Sequence, residues 1–282
     1  MHDQDSAVPL SLQRRDRLQT LTIKCHRNWN GVKNGGWRAI CRLARGALRA
    51  LSAVIAGPRR KTSVAGNCTV ATSTRGHRRT AFDGWLGRGS MFVLSEAGAR
   101  RLVGAAGARC GGAIVDVGAG DGEVSRRFAH LYSDKFATEI SSSMRKALKS
   151  KGYTLLDTED WHGSQFDCVC MLNLVDRCSH PRAMLRSARA ALAPGGVLLL
   201  ALVLPYKPYV EATADHKPVE RLPIEGATFE EQVGSFVAFM RESGFELRSW
   251  SRAPYLCEGD FAQAYYWLDD SVYVFAPLEA AK

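Results

Sequence analysis

The strongest chemical signal in this 282-residue chain is the run Val115-Asp116-Val117-Gly118-Ala119-Gly120-Asp121-Gly122. A short apolar run leads into it and a helix-like segment follows. Glycines at such a junction let a ligand approach the backbone, and the helix start offers unpaired N–H groups. Two ligand classes use this geometry. A dinucleotide binder of the G-x-G-x-x-G type would want glycine at 123, where this chain has Glu123. A pyrophosphate would also be repelled by Asp116 and the acids after it. S-adenosylmethionine has no phosphate and carries a sulfonium and an ammonium. Asp116 suits the methionine ammonium through charge-assisted hydrogen bonds. Asp116, Gly118, Gly120 and Gly122 are therefore candidate contacts for S-adenosylmethionine. Glu139 lies 19 residues past Gly120, at the end of the next strand, where a carboxylate can accept bonds from both ribose hydroxyls. Each signal has a plainer reading: glycine turns join strands to helices without any ligand, and Glu139 alone could be a solvated strand-end acid.

A second cluster is Met171-Leu172-Asn173-Leu174-Val175-Asp176-Arg177. Polar groups at a strand's carboxyl end face the ligand crevice of a parallel sheet, so Asn173 and Asp176 are candidates. As plain structure, Asn173 would form a turn and Asp176 would sit at a helix start. Trp161 could stack on an adenine or pack in the core. Arg88 could close over a carboxylate or pair with a nearby acid. Glu258-Gly259-Asp260 could contact substrate or form a β-turn, and Asp269-Asp270 could pair with basic groups or cap the last strand. Cys168 and Cys170 share one strand face as metal ligands can, but a buried face explains them better. No C-x-x-C pair occurs among the eight cysteines, and no metal site is expected. The seven histidines form no His-x-His.

These residues need elements to hold them. With 46% hydrophobic residues the chain can build a core. It has no uninterrupted apolar run long enough to span a bilayer. Its charge is divided: residues 1–80 hold 16 Lys/Arg against 3 Asp/Glu, and residues 81–282 hold 22 against 25. The basicity belongs to an N-terminal extension, residues 1–80, so no nucleic-acid partner is expected. Within that extension Trp37 to Ile55 has helical apolar spacing interrupted by arginines. It could lie on an anionic membrane surface or serve as a transit helix, and a poorly ordered basic extension is the plainer alternative.

Residues 81–282 read as an α/β domain with a parallel sheet. Strands are expected at Ala113–Val117, Lys135–Glu139, Tyr153–Leu156, Phe166–Leu172, Val197–Leu204, Phe245–Arg252 and Ser271–Ala276. Helices are expected at Glu123–Leu131, at Ser141–Lys151 with Ser141 as its cap, and at Pro181–Leu192, closed by Pro194-Gly195-Gly196. Thr228-x-x-Glu231 is a capping box opening a helix to Ser243.

Several segments together carry a resemblance. Leu86–Ser95 (LGRGSMFVLS), Val115–Val124 (VDVGAGDGEV), Ala137–Ser141 (ATEIS), Leu172–Cys178 (LNLVDRC), Ala201–Glu211 (ALVLPYKPYVE), Pro254–Asp260 (PYLCEGD) and Tyr265–Asp270 (YYWLDD) occur in this order. From about Gly84 to Phe275 the chain closely resembles the DREV family (methyltransferase-like protein 9), which are protein-histidine pros-methyltransferases. The resemblance implies a seven-stranded class I, Rossmann-like methyltransferase fold with S-adenosylmethionine as cofactor. It implies methylation of the pros nitrogen, Nδ1, in His-x-His motifs of protein substrates with a small residue before the first histidine. It places cofactor contacts on the Gly118–Gly122 turn, Glu139, Asn173 and Tyr255. It sets Asn173, Asp176 and Tyr266 against the substrate imidazole, with the loop around Pro205–Glu211 walling the peptide groove. By resemblance the compartment would be the endoplasmic reticulum or the mitochondrion. Residues 1–80 do not match the helical segment that the family carries ahead of LGRGSMF. A small-molecule or RNA methyltransferase on the same fold stays open, as does a catalytically silent cofactor-binding protein, because a fold does not fix its substrate.

Overall fold

The computed structural model describes residues 91–278, except 109, 211–212 and 259–264, and a two-residue strand at Ile23–Lys24. The rest of the expected extension, residues 1–80, lies outside the described residues, as does Arg88. The strands are β1 Ile23–Lys24, β2 Met91–Phe92, β3 Ala113–Val117, β4 Asp134–Thr138, β5 Thr154–Leu155, β6 Phe166–Leu172, β7 Leu192–Val203, β8 Phe245–Glu258 and β9 Tyr265–Pro277. The helices are α1 Glu96–Ala105, α2 Glu123–Ala129, α3 Ser142–Ser150, α4 Pro181–Ala190 and α5 Phe229–Glu242, and a 3₁₀ turn spans Trp161–Gly163.

One sheet runs β5-β4-β3-β6-β7-β9-β8, with the two-residue strands β1 and β2 both paired to β8. From β5 to β7 the neighbours are parallel; β9 is antiparallel to β7 and to β8. This is the seven-stranded α/β fold expected of a class I methyltransferase. The order reverses at β3, which lies between β4 and β6, and the crevice beyond the carboxyl ends of β3 and β6 is where such sheets take a ligand.

Helices cover both faces. On one, Leu185, Phe236, Phe239 and Met240 from α4 and α5 pack against Val169, Leu198, Leu200 and Tyr273. On the other, Leu102, Phe128 and Leu148 from α1, α2 and α3 pack against Ile114, Cys168, Cys170 and Leu199. A strand covered on both faces has no polar side, and the unbroken burial of Val197–Leu202 follows. The capping box is present: Glu231 N–H donates to Thr228 Oγ1 at 3.2 Å and Thr228 N–H to Glu231 Oε2 at 3.1 Å.

Some expectations are corrected. α4 ends at Ala190, and Pro194-Gly195-Gly196 lies within the irregular start of β7, because Phe166 N–H already donates to Ala191 O at 2.8 Å. β8 and β9 are longer than the apolar runs suggested, so Pro254–Glu258 of PYLCEGD lies on β8 and YYWLDD lies on the antiparallel β9. Ser141 precedes α3 but makes no side-chain cap; its hydroxyl meets that of Ser143. α1, capped by Ser95, was not foreseen. Trp161 is buried in the core, which excludes it as an adenine platform.

Candidate functional site

The glycine turn closes β3 at the reversal point. Gly118, Gly120 and Gly122 have φ of 68°, 57° and 77°, a region that side chains with a Cβ rarely adopt. The turn is tied to β4: Gly118 N–H donates to Thr138 Oγ1 at 3.1 Å and Ala119 N–H to Thr138 O at 3.0 Å. Glu139 sits just past β4 and braces the same turn. Its Oε2 accepts from Gly120 N–H at 2.9 Å and its Oε1 from Ser141 N–H at 2.7 Å. Lys151, from the end of α3, donates to Asp121 O at 2.6 Å and pairs with Glu123 at 2.9 Å. The acids that follow the glycines are thereby matched to a cation.

Asp116 lies on β3 just ahead of the turn and is 3% exposed. Burial pushes its carboxyl up to about 7; a hydrogen bond from Ser125 opposes this, and the charges of Glu139 and Asp121 add to it. Ser125 Oγ in turn meets Tyr153 OH at 2.8 Å.

At the end of β6, Asn173 has φ of 58°, held by its N–H bond to Ala201 O at 3.0 Å. Its Nδ2 donates to Asp270 Oδ2 at 2.9 Å across 97 residues of sequence. Asp176 is 3% exposed, and Arg177 Nε lies 3.2 Å from its Oδ2. Burial raises the Asp176 carboxyl above the usual range, against the pull of Arg177. Asp270 is fully buried; burial lifts its carboxyl to about 8, opposed by the Asn173 bond and helped by the charge of Asp176. Asn173 Oδ1, Asp176 Oδ1 and Asp270 Oδ1 are buried acceptors with no hydrogen-bond partner among the described residues. Buried acceptors left this way are costly, and a ligand's donors can relieve the cost.

Residues 205–210 of the expected loop pack beside this cluster. Tyr209 N–H donates to the Asp176 carbonyl at 2.8 Å, its ring stacks on His216 at 4.7 Å, and Arg177 lies over it at 5.9 Å. The Tyr255 hydroxyl donates to Met91 Sδ at 2.7 Å, joining PYLCEGD to the tail of LGRGSMF. No described contact brings Tyr255 to the glycine turn. Tyr266 lies on β9 opposite Cys257; its side chain is outside the described residues. Glu258 ends β8, and Gly259 and Asp260 are outside the described residues. Asp269 pairs with Arg252, as one sequence reading allowed. Among the described residues no group of His, Cys, Asp and Glu could hold a metal ion. An open groove of about 1200 Å³ lies at the opposite end of the strands, lined by Gln165, Arg186 and Gly195 among others. It holds none of the candidate residues.

The model of the DREV methyltransferase family matches residues 70–277. The chain belongs to this family. The chain also matches solved methyltransferase structures at low similarity. The N-methyltransferase NodS from Bradyrhizobium japonicum, in complex with S-adenosyl-L-homocysteine, is 14% identical over 64% of this chain and 84% of its own, with a TM-score of 0.40. The DhpI–SAH complex is 17% identical over 72% and 96%, with a TM-score of 0.42. The ribosomal protein L11 methylase from Lactobacillus delbrueckii is 11% identical over 59% and 70%, with a TM-score of 0.35. Similarities this low say nothing about substrate.

As a DREV methyltransferase the chain uses S-adenosylmethionine, and the described residues fit that cofactor. A Cβ on Gly120 would meet nothing within 4 Å, so the turn is open there. Each Glu139 oxygen spends one acceptor site on a backbone N–H and keeps another for a ribose hydroxyl. Ile140, next to Glu139, is 84% exposed, an apolar side chain at the crevice suited to an adenine face. Ile140, Thr138, Lys151 and the tie to Asp270 were not singled out from the sequence. Ile140 could have been found from its place beside Glu139. The others depend on long-range packing.

Proposed function

We propose that this DREV methyltransferase transfers a methyl group to the pros nitrogen of histidine in His-x-His motifs of protein substrates. The observation that supports this most is the set of buried acceptors at the end of β6, Asn173 Oδ1 and Asp176 Oδ1, beside the cofactor crevice. A neutral imidazole offers one N–H and one lone pair. Acceptors on one side of the ring take the N–H and leave the lone pair facing the other way.

S-adenosylmethionine supplies an electrophilic methyl carbon. Gly118, Gly120 and Gly122 let its methionine end lie against the backbone. Asp116 attracts the ammonium, Glu139 takes the ribose hydroxyls, and Asn173 and Tyr255 complete the cofactor contacts. Asp176 accepts the tele N–H, which fixes the tautomer and leaves the pros nitrogen unprotonated. As methylation makes the ring cationic, the Asp176 carboxylate stabilises the charge. Its raised pKa sets it nearer that of an imidazole, so it can also take the tele proton when the product leaves. Asn173 and Tyr266 position the ring, and the Pro205–Glu211 loop walls the peptide. Holding the two reactants in line can supply about 7–11 kcal/mol of the barrier reduction.

The test is tritiated cofactor incubated with His-x-His peptides and their single His→Ala variants. Label is expected in the His-x-His peptides and lost on replacing the target histidine. Label in RNA or small molecules but in no peptide would refute the substrate assignment.

A further inference from the structure

Asp270 was legible in the sequence only as one of two acids at the end of the chain. The fold separates them. Asp269 pairs with Arg252, whereas Asp270 is fully buried with no cation within ion-pairing distance among the described residues. Asp270 lies on β9 opposite Val203 of β7 and Ala253 of β8, which sets it at the carboxyl end of β7, next to the end of β6. The neighbouring Ser271 anchors the strand there, donating its hydroxyl to Leu202 O at 2.7 Å. A carboxyl buried without a cation depends on its hydrogen bonds. Its side-chain donor is the Asn173 amide, at 2.9 Å, and the backbone at Leu202 and Ser271 also hydrogen-bonds it.

An asparagine amide has a donor end and an acceptor end of nearly the same shape, and only its partners decide which end points where. The Asn173 backbone is already fixed by its bond to Ala201, so the side chain has one question left: which end faces the crevice. Asp270 Oδ2 takes the NH₂ end and leaves Oδ1 outward; burial lifts the carboxyl to about 8, so this orientation becomes obligatory once the group is ionised and can only accept. Asn173 Oδ1 is that outward, buried, unpartnered acceptor.

We propose that Asp270 is the positioning residue of the methyl-acceptor site: by taking the Asn173 Nδ2–H it turns Asn173 Oδ1 towards the reacting ring, so that only an N–H edge can meet Asn173. This rests on the function proposed above. In this role Asp270 acts on the ring through Asn173. With the amide reversed, its NH₂ would meet the ring N–H donor to donor, and the ring would turn its lone pair towards Asn173 instead. Asp270 thereby contributes to the choice of nitrogen as well as to rate.

Asp270→Asn keeps the shape and removes the obligatory acceptor. In the full chain it is expected to lower kcat at least tenfold, leave the dissociation constant of S-adenosylhomocysteine within threefold, and raise the share of tele-methylated product. The exchange Asn173→Asp with Asp270→Asn restores an acceptor at 173 facing the crevice, and should recover at least part of kcat and of the pros selectivity. A merely structural role would instead lower melting temperature and cofactor affinity together and leave the isomer ratio alone. The amide itself is read by NMR of the full chain with ¹⁵N-labelled asparagine, bound to S-adenosylhomocysteine; the Asn173 pair is the one lost in Asn173→Asp. One Asn173 amide proton should be protected from solvent exchange in the wild type and unprotected in Asp270→Asn. An unprotected wild-type signal, or a kcat and isomer ratio unchanged in Asp270→Asn, overturns the proposal. A protected signal in a wild type that methylates no imidazole leaves the amide orientation standing and instead refutes the histidine reading.

Discussion

Binding of the cofactor should depend on pH through Asp116, and the dependence can be worked out in advance. The carboxyl is 3% exposed and its ionisation is pushed up to about 7 by burial. An ammonium gains most from the ionised form. Between pH 8 and pH 6 the ionised fraction of the empty protein falls from about 0.9 to about 0.09, so apparent affinity should fall about tenfold, close to 1.4 kcal/mol. Calorimetric titration with S-adenosylhomocysteine, which carries the same ammonium, at pH 6, 7 and 8 measures it. In Asp116→Asn the slope should vanish, with affinity at pH 8 reduced towards the wild-type value at pH 6. Affinity that does not vary with pH in the wild type, or a slope that survives in Asp116→Asn, would refute the reasoning.

Asp176→Asn should lower turnover by about 10²–10⁴ while cofactor affinity stays within a few fold, since the amide can still pair with the ring but no longer takes its proton or offsets its charge; equal loss of both in kinetics and titration would make Asp176 structural. The glycines should separate by position. Gly120→Ala meets open space and should cost about 1 kcal/mol of stability from its left-handed backbone, yet block the cofactor. Gly122→Ala meets Leu148 Cδ2 at 2.7 Å and should destabilise further, as denaturant melts of the two variants will show. Ile140→Ser should weaken cofactor binding about fivefold, near 1 kcal/mol of lost apolar contact, with the melting temperature unchanged because the side chain is exposed in the empty protein. Stability of the cofactor-free protein should fall as pH rises. The fold keeps the Asp116 proton up to about 7 while the unfolded chain loses it near 3.8, so about 4 kcal/mol is lost across that window; Asp116→Asn should reduce the slope of the melting-temperature profile between pH 4 and 7, and the slope that remains belongs to Asp176 and Asp270, whose carboxyls burial also raises.

What the sequence made legible was local. The glycine turn, Glu139 beside it and the Thr228 capping box each depend on spacings of a few residues or on one strand–helix–strand unit, and each stands where it was expected. Asn173 and Asp176 were legible because β6 ends in polar residues after an apolar run. The Asn173–Asp270 bond was not, because it joins residues 97 apart through β7, and no local pattern marks which of two adjacent acids turns inward. Lys151 was hidden for the same reason, reaching 30 residues back to Asp121. Trp161 was ambiguous in sequence, and its neighbours in the core decided it. The start of β7 was misplaced because Pro194-Gly195-Gly196 looks like punctuation, while pairing with β6 begins before it.

The most direct single measurement is the chemical identity of the methylated residue. The purified chain is incubated with methyl-labelled S-adenosylmethionine and a His-x-His protein substrate, the protein is hydrolysed, and the two methylhistidine isomers are separated. Label in pros-methylhistidine is the predicted result; label in tele-methylhistidine, or in any residue other than histidine, would contradict it.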